Sequence, residues 1–393
     1  MKGFLIPKRL PEKNIFVKVI ASIVVIIQHL LFGLFTVLLG KQVTLKIMRG
    51  QVWEAYIESD LIIVGHDNVL ITPYGYVLLF SYVCSIILGK IIRTPVVIYA
   101  GSVGFSSASS TKPMRYRFLS HLLSPFLNWT DLITVRDQIS YNNLAEMGIQ
   151  RNRIKLTADV AFLLQPGSLQ RGIEILEAEQ IRKGSLPLIG VTLTHQITAK
   201  AKPETNLSCY ETGIKMTARA LDISAEKLNA TILFIPHCIE PGPGDDRLVA
   251  KDVMEKMVYQ SCASLILNEY SVEDLKALIG QCDLFLGERT HSVINAVTMG
   301  IPSVNLSFSN DQRATSLLYE ILENGKQVIY IDRITSEEIA LCLERTWEKK
   351  DQIQKDTLIK VEQIKVNAMK NGEMVKILLD SYNKLISISG HQL

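Results

Sequence analysis

Residues 280–308 read GQCDLFLGERTHSVINAVTMGIPSVNLSF, and their pattern decides the fold class. The apolar run Leu284-Phe285-Leu286 has the length and composition of a buried strand. Gly287 ends it, and Glu288-Arg289-Thr290-His291 follow as a polar junction. Ser292 to Met299 then carries apolar residues at helical spacing, Gly300 stops that helix, and Ser303 to Leu306 is strand-like again. Strand, polar junction, helix and strand in succession describe one parallel βαβ unit. An arginine and a histidine two positions apart occupy the strand-to-helix turn, where a parallel sheet presents ligand-binding groups.

The same rhythm extends both ways. Upstream, strands are expected at 60–65, 94–101, 131–137 and 154–159, with helices between them. A polar stretch, 165–187, holds Pro166, Gly167, Gly184 and Pro187 and reads as a hinge. A second series follows, with strands at 188–192, 230–235, 263–267, 284–286, 303–306 and 328–331. From Ser336 to Ile386 the chain is helical, rich in Glu and Lys, with apolar residues at helical spacing. Continuous apolar strands alternating with helices predict parallel sheets covered on both faces. The expected architecture is therefore two doubly wound, Rossmann-like α/β domains: an N-terminal domain over 1–168, a C-terminal domain over 186–332, and helices over 333–393.

Composition narrows the partners. Of 393 residues, 48% are hydrophobic and 21% charged, with a net charge of only +3, so the chain can bury sizeable cores. The basic residues form no stripe interleaved with aromatics, which argues against nucleic acid. The six cysteines include no C-x-x-C pair, match no zinc or disulfide spacing, and point to a reducing, cytoplasmic compartment. Val19 to Gly40 is long and apolar enough to span a bilayer at about 20 residues. Gln28 and His29 in its middle are costly in lipid, so a helix buried in the domain is the plainer reading. The sharper one is a helix lying against the inner face of the membrane as a peripheral contact.

Several residues can carry chemistry. Arg289 offers a planar fork to a phosphate or carboxylate, next to a helix start whose amides also favour an anion. His291 is suited to moving a proton near neutral pH. His237 follows a strand end in PHCIEPGPGDD, with Asp245 and Asp246 in the same loop, a setting for catalysis, hydroxyl binding or a solvated turn. Arg136 ends the strand of DLITVRD, where it serves as an anion contact or pairs structurally with Asp137. Gly101 and Gly104 in YAGSVGF allow a ligand close to the backbone. No metal-ligand spacing is present.

In order, DLIIVG, TPVVIYAGSVGF, DLITVRDQISYNNLAEMGI, TADVAFLL, PH…DD and the opening stretch resemble the polysaccharide pyruvyl transferase family over about residues 58–330. That resemblance implies a glycosyltransferase-B-like pair of domains. It implies transfer of a pyruvyl group from phosphoenolpyruvate to a sugar, free or lipid-linked, as a ketal, with no cofactor. It also matches Arg289 and His291 to the family's Arg-x-His, which contacts the donor's phosphate and carboxylate, Arg136 to a further anion contact, and His237 with Asp246 to a loop of similar form. On that basis we expect Gly101 and Gly104 at the donor, His291 as acid or base with His237 the second candidate, and Asp246 and Asp67 at the acceptor. The family's opening strand with its Gly-Asn-x-Gly-Asp loop has no counterpart here, and Gly65-His66-Asp67-Asn68 stands where the family often has several glycines. After the strand at 303–306, Phe308, Asp311 and Arg313 stand where a Tyr and a nearby Lys are common. The rival readings are a nucleotide-sugar glycosyltransferase, with Glu320 or Glu323 toward a ribose, and an inactive membrane-surface scaffold.

Overall fold

The computed structural model describes residues 15–64, 68–69, 76–103, 114–204, 206–309, 311–319, 321–322 and 325–390. The chain forms two compact units: residues 1–159 together with 367–393, and residues 160–366.

The first unit begins with three helices, α1 (Ile15–Leu39), α2 (Lys41–Ile47) and α3 (Gln51–Glu58). Then come β1 (Ile62–Val64), β2 (Asn68–Val69), α4 (Tyr76–Ile92), β3 (Val96–Val103), α5 (Met114–Leu127), β4 (Leu132–Val135), α6 (Gln138–Glu146) and β5 (Ile154–Leu156). The sheet is parallel in the order β1-β3-β4-β5, and β1 and β2 pair with successive parts of β3. Among the described residues no strand precedes β1. The core gathers Ile86, Val96, Ile98, Ile133, Val135 and Leu144 with Phe32 and Trp53, whose rings stack 4.5 Å apart.

The 19–40 stretch lies in α1, docked along α4. A Cβ at Gly33 would come within 2.7 Å of Ile91 Cδ1, so glycine sets the close approach of the two helices. His29 is buried edge-on against Trp53 and hydrogen-bonds the Val25 carbonyl at 2.8 Å, and buried Thr36 donates to Phe32 O. The polar residue expected to oppose contact with lipid thus faces the protein, because a hydrogen bond within its own helix satisfies it. Among the described residues no helix is long and apolar enough to cross a membrane.

The second unit holds α7 (Leu169–Ala178), β6 (Leu188–Thr192), α8 (His195–Thr198), α9 (Cys209–Leu228), β7 (Thr231–Phe234), α10 (Asp246–Lys256), β8 (Ala263–Leu265) and α11 (Val272–Ile279). It continues with β9 (Leu284–Gly287), α12 (Thr290–Thr298), β10 (Ser303–Ser307), α13 (Gln312–Leu317), β11 (Val328–Tyr330) and α14 (Ser336–Glu348). A last helix, α15 (Lys350–Gly390), starts in this unit and ends in the first. All six strands are parallel, in the order β11-β10-β9-β6-β7-β8. Alternate strand residues feed two cores: Leu188, Leu233 and Phe285 pack toward α7, α11 and α12, while Ile189, Val191, Leu284 and Leu306 pack toward α9, α10 and α14. Apolar residues on both faces explain why these strands read as unbroken runs.

The stretch 165–187 is not the place where the chain changes unit. That change comes at Asp159–Val160. Ser168 caps α7, Ile175 and Leu176 are buried, and a Cβ at Gly172 would sit 2.5 Å from Ala277 O, so α7 is pressed onto α11. The polar and Gly/Pro signals mark only the two ends of an amphipathic helix.

Candidate active site

Along the second sheet the chain runs outward from β6 through β7 to β8, then crosses back to β9 and continues to β11. The neighbours β6 and β9 therefore flank the switch point, where the connections leave in opposite directions and open a crevice at the strands' carboxyl ends. Glu288 and Arg289 follow β9, Thr194 follows β6, and His237 follows β7. Gly287 is needed here, since a Cβ would meet Val293 Cγ2 at 2.5 Å and push α12 away from the strand.

Arg289 is held from below. Its Nε and Nη2 donate to Asp246 Oδ2 and Oδ1 at 2.7 and 2.6 Å, a fork-on-fork pair. Asp246 Oδ2 also accepts from the backbone amides of His237 and Cys238 at 3.1 and 2.9 Å. Asp246 is 2% exposed with both oxygens engaged, so it is not the acceptor contact expected from the sequence but the residue that fixes Arg289 and the His237 loop. The Arg289 side chain stays 23% exposed, and its Nη1 takes no part in the pair. Arg289 is also the N-terminal flanking residue of α12, whose first amides lack partners within the helix. An arginine edge and a helix N-terminus together favour an anion.

His237 is half-buried, and its Nε2 is buried without a hydrogen-bond partner. Nδ1 lies 3.5 Å from the Ile235 carbonyl and 3.4 Å from Thr192 Oγ1. A carbonyl can only accept, so this contact favours the proton on Nδ1 and a lone pair on Nε2. Burial, with Arg289 and His291 nearby, pushes its pKa down to about 4, so the ring is neutral near pH 7. His291 stands exposed in the first turn of α12.

Glu288 was not singled out from the sequence, where it looked like one more polar junction residue. It is 3% exposed and accepts from Thr194 N at 2.7 Å and from Thr198 Oγ1 at 2.9 Å, bridging the two strands that flank the switch point. Burial pushes its pKa up to about 8. The signal that could have found it is an acidic residue directly after a buried strand, in the same junction as the arginine and histidine.

The remaining expected residues fall elsewhere. Arg136 belongs to the first unit and is buried: Nε donates to Ser102 Oγ at 2.6 Å and Nη1 to Asp159 Oδ2 at 2.5 Å. Its partner is thus Asp159 rather than Asp137, which caps α6 and accepts from Ser102 and Ser140. With its charge met inside the unit, Arg136 is not an open anion contact. Gly101 sits in β3 beside a register shift, and its carbonyl accepts from Arg136 N. Gly104, Asp67, Glu320 and Glu323 lie outside the described residues. Among the described residues no group of three His, Cys, Asp or Glu is placed to hold a metal ion.

Comparison with known proteins bears on the family and the fold. The family description "Polysaccharide pyruvyl transferase" matches residues 5–310. The amylovoran biosynthesis protein AmsJ of Erwinia amylovora is 20% identical over 262 residues, covering 64% of this chain and 58% of AmsJ. The chain therefore spans less than two thirds of that relative. Among solved structures, UDP-GlcNAc 2-epimerase from Neisseria meningitidis matches with a TM-score of 0.55 and 12% identity, over 95% of this chain and 84% of its own. A glycosyltransferase from Rickettsia africae gives 0.52 and 13% over the same shares, and Anabaena Alr3699/HepE in complex with UDP gives 0.52 and 14% over 84% and 80%. At such identities these matches show the fold alone, a glycosyltransferase-B-like pair of α/β domains.

Proposed function

Because the chain belongs to the polysaccharide pyruvyl transferase family, we propose that it moves a pyruvyl group from phosphoenolpyruvate onto a sugar of a polysaccharide or of its lipid-linked precursor. The observation that carries this reading is Arg289, locked by Asp246 at the N-terminus of α12 beside a neutral histidine with an unpartnered nitrogen. The donor holds a phosphate and a carboxylate on a small frame. The Arg289 edge and the α12 amides neutralise that charge, the kind of fixed electrostatic contribution that often dominates catalysis.

In this scheme an acid protonates the donor methylene, which becomes the ketal methyl and leaves an oxocarbenium-like carbon. One sugar hydroxyl attacks that carbon and loses its proton to a base. A second hydroxyl then displaces phosphate, which departs with the remaining proton, and the ketal closes. His291, exposed at the helix start, serves as acid, and His237 Nε2, neutral near pH 7, as base. No step calls for a cofactor. Phosphoenolpyruvate is a cytoplasmic metabolite, which sets the reaction at the inner side of the cell membrane. A nucleotide-sugar glycosyltransferase is the second reading, favoured by the UDP complexes among the matched folds.

Phosphate release from phosphoenolpyruvate, compared with nucleoside diphosphate release from nucleotide sugars, decides between the two. The expected result is phosphate release that requires a saccharide acceptor. In His291→Gln it should fall about 10²–10⁴-fold with donor affinity retained. Diphosphate release alone overturns the proposal.

A further inference from the structure

The outer face of α1 is built the wrong way round for a soluble domain. Ile23, Ile27, Leu30, Leu34, Val37 and Leu38 recur at helical spacing, each 48–67% exposed. The opposite face, carrying His29 and Thr36 with Phe32 and Val25, is buried against the rest of the first unit. An amphipathic helix ordinarily turns its apolar stripe inward and its polar one outward. Here both faces are apolar, and His29 and Thr36 are spent inside. The stripe continues into α2, where Val43 and Ile47 are also exposed. A contiguous exposed patch of this kind marks a contact surface.

Charge identifies what the surface meets. Lys41, Lys46 and Arg49 stand exposed at the end of the stripe, and none forms an ion pair among the described residues. Residues 1–53 contain eight Lys or Arg and a single acid, Glu12. The whole chain has a net charge of +3, so the remaining 340 residues are net negative and the positive charge is concentrated in the part of the sequence that contains the apolar stripe. A second copy of the chain would set this charge against itself. An anionic lipid surface answers both features at once: acyl chains take the stripe and headgroups take the basic rim.

We propose that α1 and α2 form an in-plane membrane-docking face selective for anionic phospholipid. The helix lies flat, its inner face still packed on α4, and attaches the protein without crossing the bilayer. This inference stands apart from the reaction proposed above, and its test needs no substrate.

The test is co-sedimentation of the full chain with vesicles of phosphatidylcholine alone and of phosphatidylcholine with phosphatidylglycerol. Binding is expected to the anionic vesicles only, and alkaline carbonate should strip it. Ile27→Glu with Leu34→Glu should abolish binding. Lys41→Glu, Lys46→Glu and Arg49→Glu should each weaken it at least about fivefold. Circular dichroism and Tm check that the variants fold; should the glutamates in α1 fail, the charge reversals on α2 carry the test. Equal binding to both vesicle types, or no binding by folded protein, overturns the proposal. Attachment that survives carbonate overturns it in favour of a spanning helix. A dimer dissolved by Ile27→Glu with Leu34→Glu, without vesicle binding, overturns it in favour of a second copy.

Discussion

Arg136 and Arg289 occupy equivalent places in two βα units, and the structure uses them in opposite ways. Each follows a buried parallel strand, and each is paired with an aspartate. The Arg136 side chain is 4% exposed and so is Asp159, whereas Arg289 is 23% exposed above an Asp246 at 2%. Arg136 spends its fork on Ser102 and Asp159, both within its own unit. Arg289 spends one edge on Asp246 and leaves Nη1 outside the pair. A position after a strand brings an arginine to the ligand side of a sheet, but the exposure it keeps once paired decides whether it can act there.

That contrast makes unequal demands on mutants. The largest effect is expected from Asp159→Ala, which leaves the Arg136 charge buried without its partner and should cost about 3–5 kcal/mol of stability by urea unfolding. A loss under about 1 kcal/mol would break the comparison, because Arg136 would then be free to turn outward. Next comes Arg289→Ala, expected to weaken phosphoenolpyruvate binding by about 2–4 kcal/mol in calorimetry. Arg289→Lys should recover only part of that loss, since an ammonium cannot reproduce the fork. If Arg136→Lys weakened donor binding as much without loss of stability, the two arginines would be equivalent after all.

Glu288 sharpens the comparison through pH. Its carboxyl, ordinarily near 4.5, is raised to about 8 in the folded protein, so between these values the folded state holds the proton more tightly than the unfolded chain. The stabilisation is complete below about 4.5 and is lost as pH rises toward 8, with a slope of at most about 1.4 kcal/mol per pH unit. His237 acts with the opposite sign: lowered from 6.5 to about 4, it erodes stability as pH falls through that window. Urea midpoints across pH 4–8 should therefore flatten on the alkaline side in Glu288→Gln and on the acid side in His237→Gln. An unchanged alkaline limb in Glu288→Gln would refute its buried, protonated state. The smallest effect is Thr198→Val, which removes one hydrogen bond to Glu288 and should cost about 1 kcal/mol in the same assay.

The strands were legible because burial on both faces leaves unbroken apolar runs; every strand expected from 60–65 to 328–331 is present. The positions of Arg289, His237 and His291 just beyond strand ends were legible because the strands themselves were. Partnership was not, since a sequence does not show which aspartate lies beneath which arginine. Asp246 therefore looked like an acceptor contact, and Arg136 like an open cation. Glu288 escaped because a carboxyl's burial depends on α8 closing over it from 90 or more positions away. The unit boundary was misplaced because Gly and Pro punctuate helix ends and domain linkers alike. The character of α1 was obscured because hydropathy cannot tell which side of a helix hides a histidine.

The long α15 gives the first unit an unusual history. Residues 1–159 are made before the second unit, yet their unit is completed only by residues 367–393, which are made after it. Asn371 closes it, accepting from Thr157 Oγ1 at 2.9 Å and donating to Ala158 O at 3.0 Å. The second unit, contiguous in sequence, can mature during synthesis while the first waits for its final piece, reversing the usual N-to-C order of domain folding. A chain released early would carry a finished second unit and an open first one, with Thr157 and Ala158 lacking their Asn371 partner.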